Sequence, residues 1–199
     1  SAVMAVFAAW GEGAAAAAGL DGEAPGASRA LGGGLAFVDP RHPALGLRLL
    51  LPADAAADAA SLVPGAEPAD ADAYDAHRLD LGIPDGRADL ELERSTLLEA
   101  GYDRLNAIDW KKGCYMGQEL TARMRYRGLA KKGLYAVAVD GPLPAPGTPV
   151  MQGGREVGTM RSGRDGRAIA LLRNDAAEAA GQEPLVASEA RLTPRNPGT

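Results

Sequence analysis

Cysteine is nearly absent: the 199 residues contain one, Cys114. One thiol cannot close an internal disulfide, so a disulfide-stapled secreted domain is excluded and a reducing, cytoplasmic setting is expected. Histidine is almost as scarce, with only His42 and His77. One cysteine and two histidines do not make a standard zinc site or hold a whole iron–sulfur cluster, so no metal site is expected within the chain. No run of about 18 apolar residues occurs, so no membrane-spanning helix or membrane association is expected. No basic stretch followed by an apolar one marks a signal peptide at the N-terminus. Aromatic residues make up only 5%, so Phe7, Trp10, Phe37 and Trp110 are rare large packing pieces. A basic surplus is missing too. The net charge is −5, which argues against a nucleic-acid partner. No glycine-rich phosphate loop is present, because Gly32–Gly34 lacks the lysine and helix that such a loop needs.

What remains is an ordinary globular composition, 46% apolar and 24% charged, long enough to bury a core. Val3–Phe7 reads as strand from the first residues, with residues 1–9 forming the element, and this abrupt start leads us to expect a missing upstream portion. Residues 11–34, rich in Gly and Ala, read as a loop. Leu35–Val38 and Leu47–Leu51 read as a hairpin across Asp39-Pro40-Arg41-His42-Pro43. Residues 53–60 start a helix that Pro64 and Pro68 stop. Residues 69–81 form another, closed by Gly82-Ile83-Pro84. Residues 85–110 are mixed, with Thr96 and Glu99 at capping-box spacing. From residue 129 the texture becomes short strands: 134–139, 150–152, 156–160, 168–172 and 185–187. These predict a small antiparallel barrel or sandwich and a domain boundary near 129. No internal repeat is evident.

One segment stands out. From Lys111 to Lys132 there are seven basic residues and one acid, Glu119, a local charge of +6 that leaves −11 for the remainder. Such an island is either a solvated face or a seat for an anionic partner. Within it Glu119, Arg123 and Arg127 are spaced by four, as are Met116, Leu120 and Met124, which predicts an amphipathic helix ending at Gly128. Cys114 stands at or just before its start, beside Lys111 and Lys112. Both features favour a thiolate, whereas a lone cysteine is more commonly buried and inert. A Cys–His nucleophile pair with His42 or His77 is the weaker possibility.

The run Lys112-Gly113-Cys114-Tyr115-Met116-Gly117-Gln118-Glu119 resembles the K-G-C-Y-x-G-Q-E signature of the YgfZ family, folate-binding proteins related to the glycine-cleavage T-protein. The similarity continues through Thr121, Ala122, Arg123, Tyr126-Arg127-Gly128 and Lys131-Lys132. Upstream it takes in Asp39-Pro40-Arg41 with Leu45-Gly46-Leu47-Arg48, then Arg78 with Gly82-Ile83-Pro84. Downstream it takes in Gly158, Ser162, Gly163 and Gly166.

The resemblance implies an α+β fold: a ferredoxin-like region over 1–128, then a β-barrel over 129–199. It implies tetrahydrofolate as cofactor and a role in assembling or maintaining iron–sulfur enzymes, including enzymes that modify tRNA. Iron–sulfur enzymes or assembly proteins are the implied partners, and a monomer is expected. Cys114 becomes the functional thiol, and Lys112, Gly113, Tyr115, Gly117, Gln118, Glu119, Arg123 and Arg127 its folate-binding frame. Family chains begin with roughly a hundred further residues, a domain-sized piece, so the folate pocket is expected to be incomplete here. Asp80, in Arg78-Leu79-Asp80-Leu81-Gly82, matches the place of the T-protein carboxylate that recognises the pterin ring. Two alternatives are a folate-dependent aminomethyltransferase or one-carbon transferase, and an RNA-binding module for tRNA modification.

Overall fold

The computed structural model describes residues 3–195, and the side chains of residues 56–58 are outside that description. The ends of the expected strand 1–9 and of the expected barrel region 129–199 therefore lie outside the described residues. The chain forms two compact units, residues 1–74 and 75–199. The boundary expected near residue 129 falls inside the second unit, just ahead of its first barrel strand.

In the first unit an antiparallel sheet runs in the order β1 (Met4–Ala9), β4 (Leu47–Pro52), β3 (Gly34–Val38), β2 (Ser28–Leu31). Strand β4 alternates strictly. Leu47, Leu49 and Leu51 are buried, while Arg48, Leu50 and Pro52 turn to the other face. The buried face meets Ala18, Leu20 and Val63 from the connecting segments, completing a small core. The expected hairpin is present, with Leu35 opposite Leu50 and Val38 opposite Leu47.

Residues 11–34 differ from the expected loop. They hold a helical turn, α1 (Ala14–Ala17), and β2, which pairs with β3 around Gly32-Gly33. Both glycines have positive φ, 57° and 74°, as a two-residue I′ turn requires. The strand escapes a pattern reading because Ser28-Arg29-Ala30-Leu31 barely alternates and is exposed at the sheet edge. The helical stretch after β4 is a 3-10 helix, Ala53–Leu62.

Helix α2 (Ala71–Asp80) starts under an Asp70 cap, whose carboxylate accepts from the Ala73 amide at 2.8 Å. It ends where the Ile83 amide donates to the Arg78 carbonyl at 2.9 Å, as Gly82-Ile83-Pro84 predicts. In the Thr96 turn the Glu99 amide donates to the Thr96 hydroxyl at 3.4 Å, so the capping contact forms without a regular helix following.

The second unit carries a closed antiparallel barrel. It contains β5 (Lys132–Asp140), β6 (Pro149–Gln152), β7 (Arg155–Arg164), β8 (Arg167–Arg173), β9 (Leu185–Ala187) and β10 (Ala190–Arg195), ordered β10-β5-β8-β7-β6-β9. Register shifts at Val150/Met151 and Met160/Gly163 supply the bends that closure needs. Val137, Val150, Met160, Leu172, Leu185 and Leu192 fill the interior. Leu79 and Ala100 pack against Leu134, Ala136 and Ile169 in a separate cluster.

Candidate functional site

Two groups of motif residues are spent on holding the fold. In the first unit Asp39 is buried and accepts from both Arg41 and Arg48, with the Tyr74 hydroxyl contacting the same guanidinium groups. Burial alone would raise the Asp39 carboxyl. Hydrogen bonds from the Arg41 side chain and backbone and from Arg48 outweigh it and hold the group below the ordinary carboxylate value. Trp10 closes edge-on against Tyr74, with ring centres 5.7 Å apart.

In the second unit Arg78 donates to Asp75 at 2.7 Å, the Ile83 carbonyl at 3.1 Å, Asp89 at 2.9 Å and Ser162 Oγ at 2.9 Å. Asp89 also accepts from the Asp85 amide and from the amide and hydroxyl of Ser162. Arg78, Ile83 and Ser162 thus meet at one buried ion pair with every polar atom of the carboxylate occupied. Asp89 is the hub that sequence reading missed. Nothing in Arg87-Ala88-Asp89-Leu90 marks it, and only its burial reveals it.

Asp80 is also engaged. Its carboxylate accepts from Arg167 and, at 3.0 Å, from Arg195, tying the end of α2 to β8 and β10. Burial would raise this carboxyl, but the two guanidinium groups hold it below its ordinary value.

The loop around Cys114 is different, because it is left open. Cys114 is exposed, which removes the reading of it as a buried, inert residue. Helix α3 (Gln118–Tyr126) begins behind it, with Gly117 as N-cap, so Cys114 lies three residues ahead of the cap. Gly113 and Gly117 have φ of 86° and 84°, and a Cβ added at either would meet no atom within 4 Å. The backbone there is bent and bare, open to close approach.

The Gly117 cap has no side chain to accept from the first amides of the helix, and Gln118 instead ties the helix start back to the loop. Its Oε1 accepts from the Tyr115 amide at 3.3 Å, while its own amide donates to the Tyr115 carbonyl at 3.1 Å. Thr121 Oγ1 donates to the Gly117 carbonyl at 3.0 Å. Lys112 Nζ lies 4.5 Å above the Tyr115 ring, and the Arg125 guanidinium 4.0 Å above Trp110. Glu119 pairs with Arg123, as the i, i+4 spacing predicts. The helix ends in a Schellman pair: the Leu129 amide donates to the Met124 carbonyl and the Gly128 amide to that of Arg125.

The expected apolar stripe is not a core stripe. Met124 is buried, but Leu120 is 58% and Met116 100% exposed, and the inward face is Thr121 with Met124. The hydroxyl of Thr121 can face inward because the Gly117 carbonyl accepts its proton.

The expected frame of Lys112, Gly113, Tyr115, Gly117, Gln118, Glu119, Arg123 and Arg127 thus lies in or beside this loop and helix. Asp80, by contrast, sits in its own cluster of arginines. Elsewhere, a cavity of about 670 Å³ in the first unit is lined by Phe7, Trp10, Leu49 and Val63, with Glu12 and Glu67 also in its wall. Among the described residues no group of three or more His, Cys, Asp or Glu could hold a metal ion, and no helix is long and apolar enough to cross a membrane.

A separate four-stranded sheet and a closed six-stranded barrel define a T-protein-like fold. The chain superposes on the crystal structure of glycine cleavage system aminomethyltransferase T from Bartonella henselae with a TM-score of 0.67, over 92% of this chain and 55% of that one, at 17% identity. Residues 131–199 match the family described as CAF17, C-terminal beta-barrel domain. The mitochondrial iron–sulfur cluster assembly factor IBA57 of Mus musculus is 38% identical over 69% of this chain and 39% of its own length. The Homo sapiens protein of that name is 37% identical over 67% and 38%. The chain is thus similar to the CAF17/IBA57 family, to which the folate-binding YgfZ group is related. It spans about two fifths of the length of these two relatives. The expected cytoplasmic location is corrected by the same comparison: the mouse, human and Dictyostelium discoideum relatives are named mitochondrial. The scarcity of cysteine on which that expectation rested reports a reducing environment, which is not unique to one compartment.

Proposed function

We propose that this chain is the thiol-bearing part of a factor that assembles or maintains iron–sulfur proteins, with Cys114 as its functional residue. The carrying observation is the exposed thiol on a bare, glycine-flanked loop whose shape is fixed by Gln118 and Tyr115. The names of the relatives point to the same cargo. The motif residues Asp39, Arg41, Arg48, Arg78 and Ser162 are internally engaged, so the open loop is where a partner can add contacts. In this reading the cluster or its iron is cargo, to which Cys114 supplies at most one ligand, and the remaining ligands come from the client protein.

Tetrahydrofolate is the proposed ligand. Its anionic glutamate tail fits Lys112, Arg123 and Arg127 along the loop and helix. Asp80 fits the pterin ring less well, because it already holds two guanidinium groups that a pterin would have to displace. Enzymes that modify tRNA are included among the proposed clients. A transferase reading lacks a comparable observation.

In a strain lacking the native gene, Cys114→Ser in the full-length protein should fail to restore iron–sulfur enzyme activity that the wild type restores. Full restoration would remove the thiol from the function. Calorimetric titration with tetrahydrofolate should give equal affinity for wild type and Cys114→Ala, and lower affinity for Arg127→Ala. No heat of binding in the wild type would remove folate.

A further inference from the structure

Helix α3 and its flanks show solvent large apolar side chains that the function above does not explain. Leu120, Arg123 and Tyr126 on the helix, and Arg127 at its C-cap, are exposed around the sides that Thr121 and Met124 leave to solvent, and Met116 precedes them fully exposed. Tyr126 is 79% and Leu129 48% exposed. Around them Lys111, Lys112, Arg127 and Lys131 have no carboxylate partner among the described residues. Exposed Met, Tyr and Arg side by side, with aliphatic neighbours, is the composition of a protein interface rather than of ordinary surface.

The charge selects the partner. A local +6 on a chain of −5 attracts an acidic surface while the remainder repels extended polyanions. Nucleic acid is disfavoured by a second feature. Two of the aromatic rings that could stack on bases are already covered by this chain's own cations, Tyr115 by Lys112 and Trp110 by Arg125. A membrane surface is disfavoured by the shortness of the helix, nine residues, and by the arginines that lie among its apolar side chains.

We infer that the outward face of α3, with the Cys114 loop at its head, is a docking surface for an acidic protein segment bearing apolar side chains. The apolar anchors are Leu120 and Tyr126, and the cations around them set orientation and rate of encounter. The inference deepens the function proposed above by naming the chemistry of the partner's contact surface.

The test uses the full-length protein and four probes at low salt. These are a labelled twelve-residue peptide of glutamates with interspersed leucines, the same peptide with serines for leucines, a single-stranded RNA of equal charge, and phosphatidylserine vesicles. The first peptide should bind best, weaken as salt rises, and lose roughly ten-fold in affinity on Arg127→Glu and again on Leu120→Ser. Both residues are exposed, and an unchanged circular dichroism spectrum confirms that the variants fold. Tighter binding of RNA or vesicles, equal binding of both peptides, binding unaffected by the two substitutions, or no binding to the first peptide would each overturn the inference. The two proposals fail separately. Peptide binding that persists while Cys114→Ser restores full activity sinks only the thiol function. Loss of activity on Cys114→Ser without such binding sinks only the docking surface.

Discussion

Asp39 and Cys114 are the two residues whose surroundings differ most from what their neighbours in sequence suggest. Asp39 looks like a turn residue before proline, yet it is a buried carboxylate under two arginines. Its folded-state pKa is depressed, so its ionised form stabilises the fold fully above the unfolded value of about 3.9, and that contribution is lost as pH falls through the lower folded value. Asp39→Asn should therefore lower the melting temperature at pH 7, and the gap from wild type should close as pH falls below about 4. A gap constant across that range, measured by thermal denaturation, would show that the charge on Asp39 contributes nothing. Asp89 lies deeper. Asp89→Ala leaves Arg78 with Asp75 as its remaining carboxylate and strips the Ser162 amide and hydroxyl of their acceptor, and should cost about 1–3 kcal/mol in urea unfolding. Cys114 is the converse case: its thiol is exposed rather than engaged in the fold.

At the scale of elements, α3 is short and buries only Thr121 and Met124, so its ends matter more than its face. Gly128 has φ of 59° with free space where a Cβ would go, so Gly128→Ala tests backbone conformation alone. It should cost about 1–2 kcal/mol in local stability. Trypsin should then cut after Arg123, Arg125 or Arg127 roughly ten-fold faster, because cleavage follows the population of the opened helix. An unchanged cleavage rate would mean that the Schellman closure is not what holds the helix. Helix α2 shows the opposite balance: Leu79 and Arg78 are both buried, so packing and the Asp89 pair reinforce its caps. The α2 stop was legible because Gly-Ile-Pro punctuates wherever it occurs. Strand β2 was not legible, because an exposed edge strand needs no alternation.

Across the whole molecule, the barrel depends on close approach of β7 to β8. A Cβ at Gly158 would lie 2.1 Å from the Leu171 carbonyl oxygen and 2.8 Å from a Leu172 methyl group. The first of these is backbone and cannot swing away. Gly158→Ala should cost about 1–3 kcal/mol, seen as a lower urea midpoint for the barrel's tyrosine signal from Tyr135, and an unchanged midpoint would show that the strands adjust freely. Barrel closure was only half legible. The spacing of short strands announced a barrel or sandwich, but β10, with Pro194 inside it, was not marked as a strand, and it is the strand that pairs with both β5 and β9.

The sequence by itself determined the local pieces: the hairpin over 35–51, the cap at Gly82, the helix ending at Gly128 with its Glu119–Arg123 pair, and the motif that singles out Cys114. These follow from short-range geometry, where residues three or four apart meet whatever the rest of the chain does. The tertiary structure decided which polar groups are occupied. It joined Arg78, Asp89 and Ser162 across more than eighty residues, and it bound Asp80 to Arg167 and Arg195. It also turned Leu120 outward and Thr121 inward. Burial and long-range pairing depend on how elements pack, and that packing separates the side chains that hold the fold from the exposed Cys114 thiol.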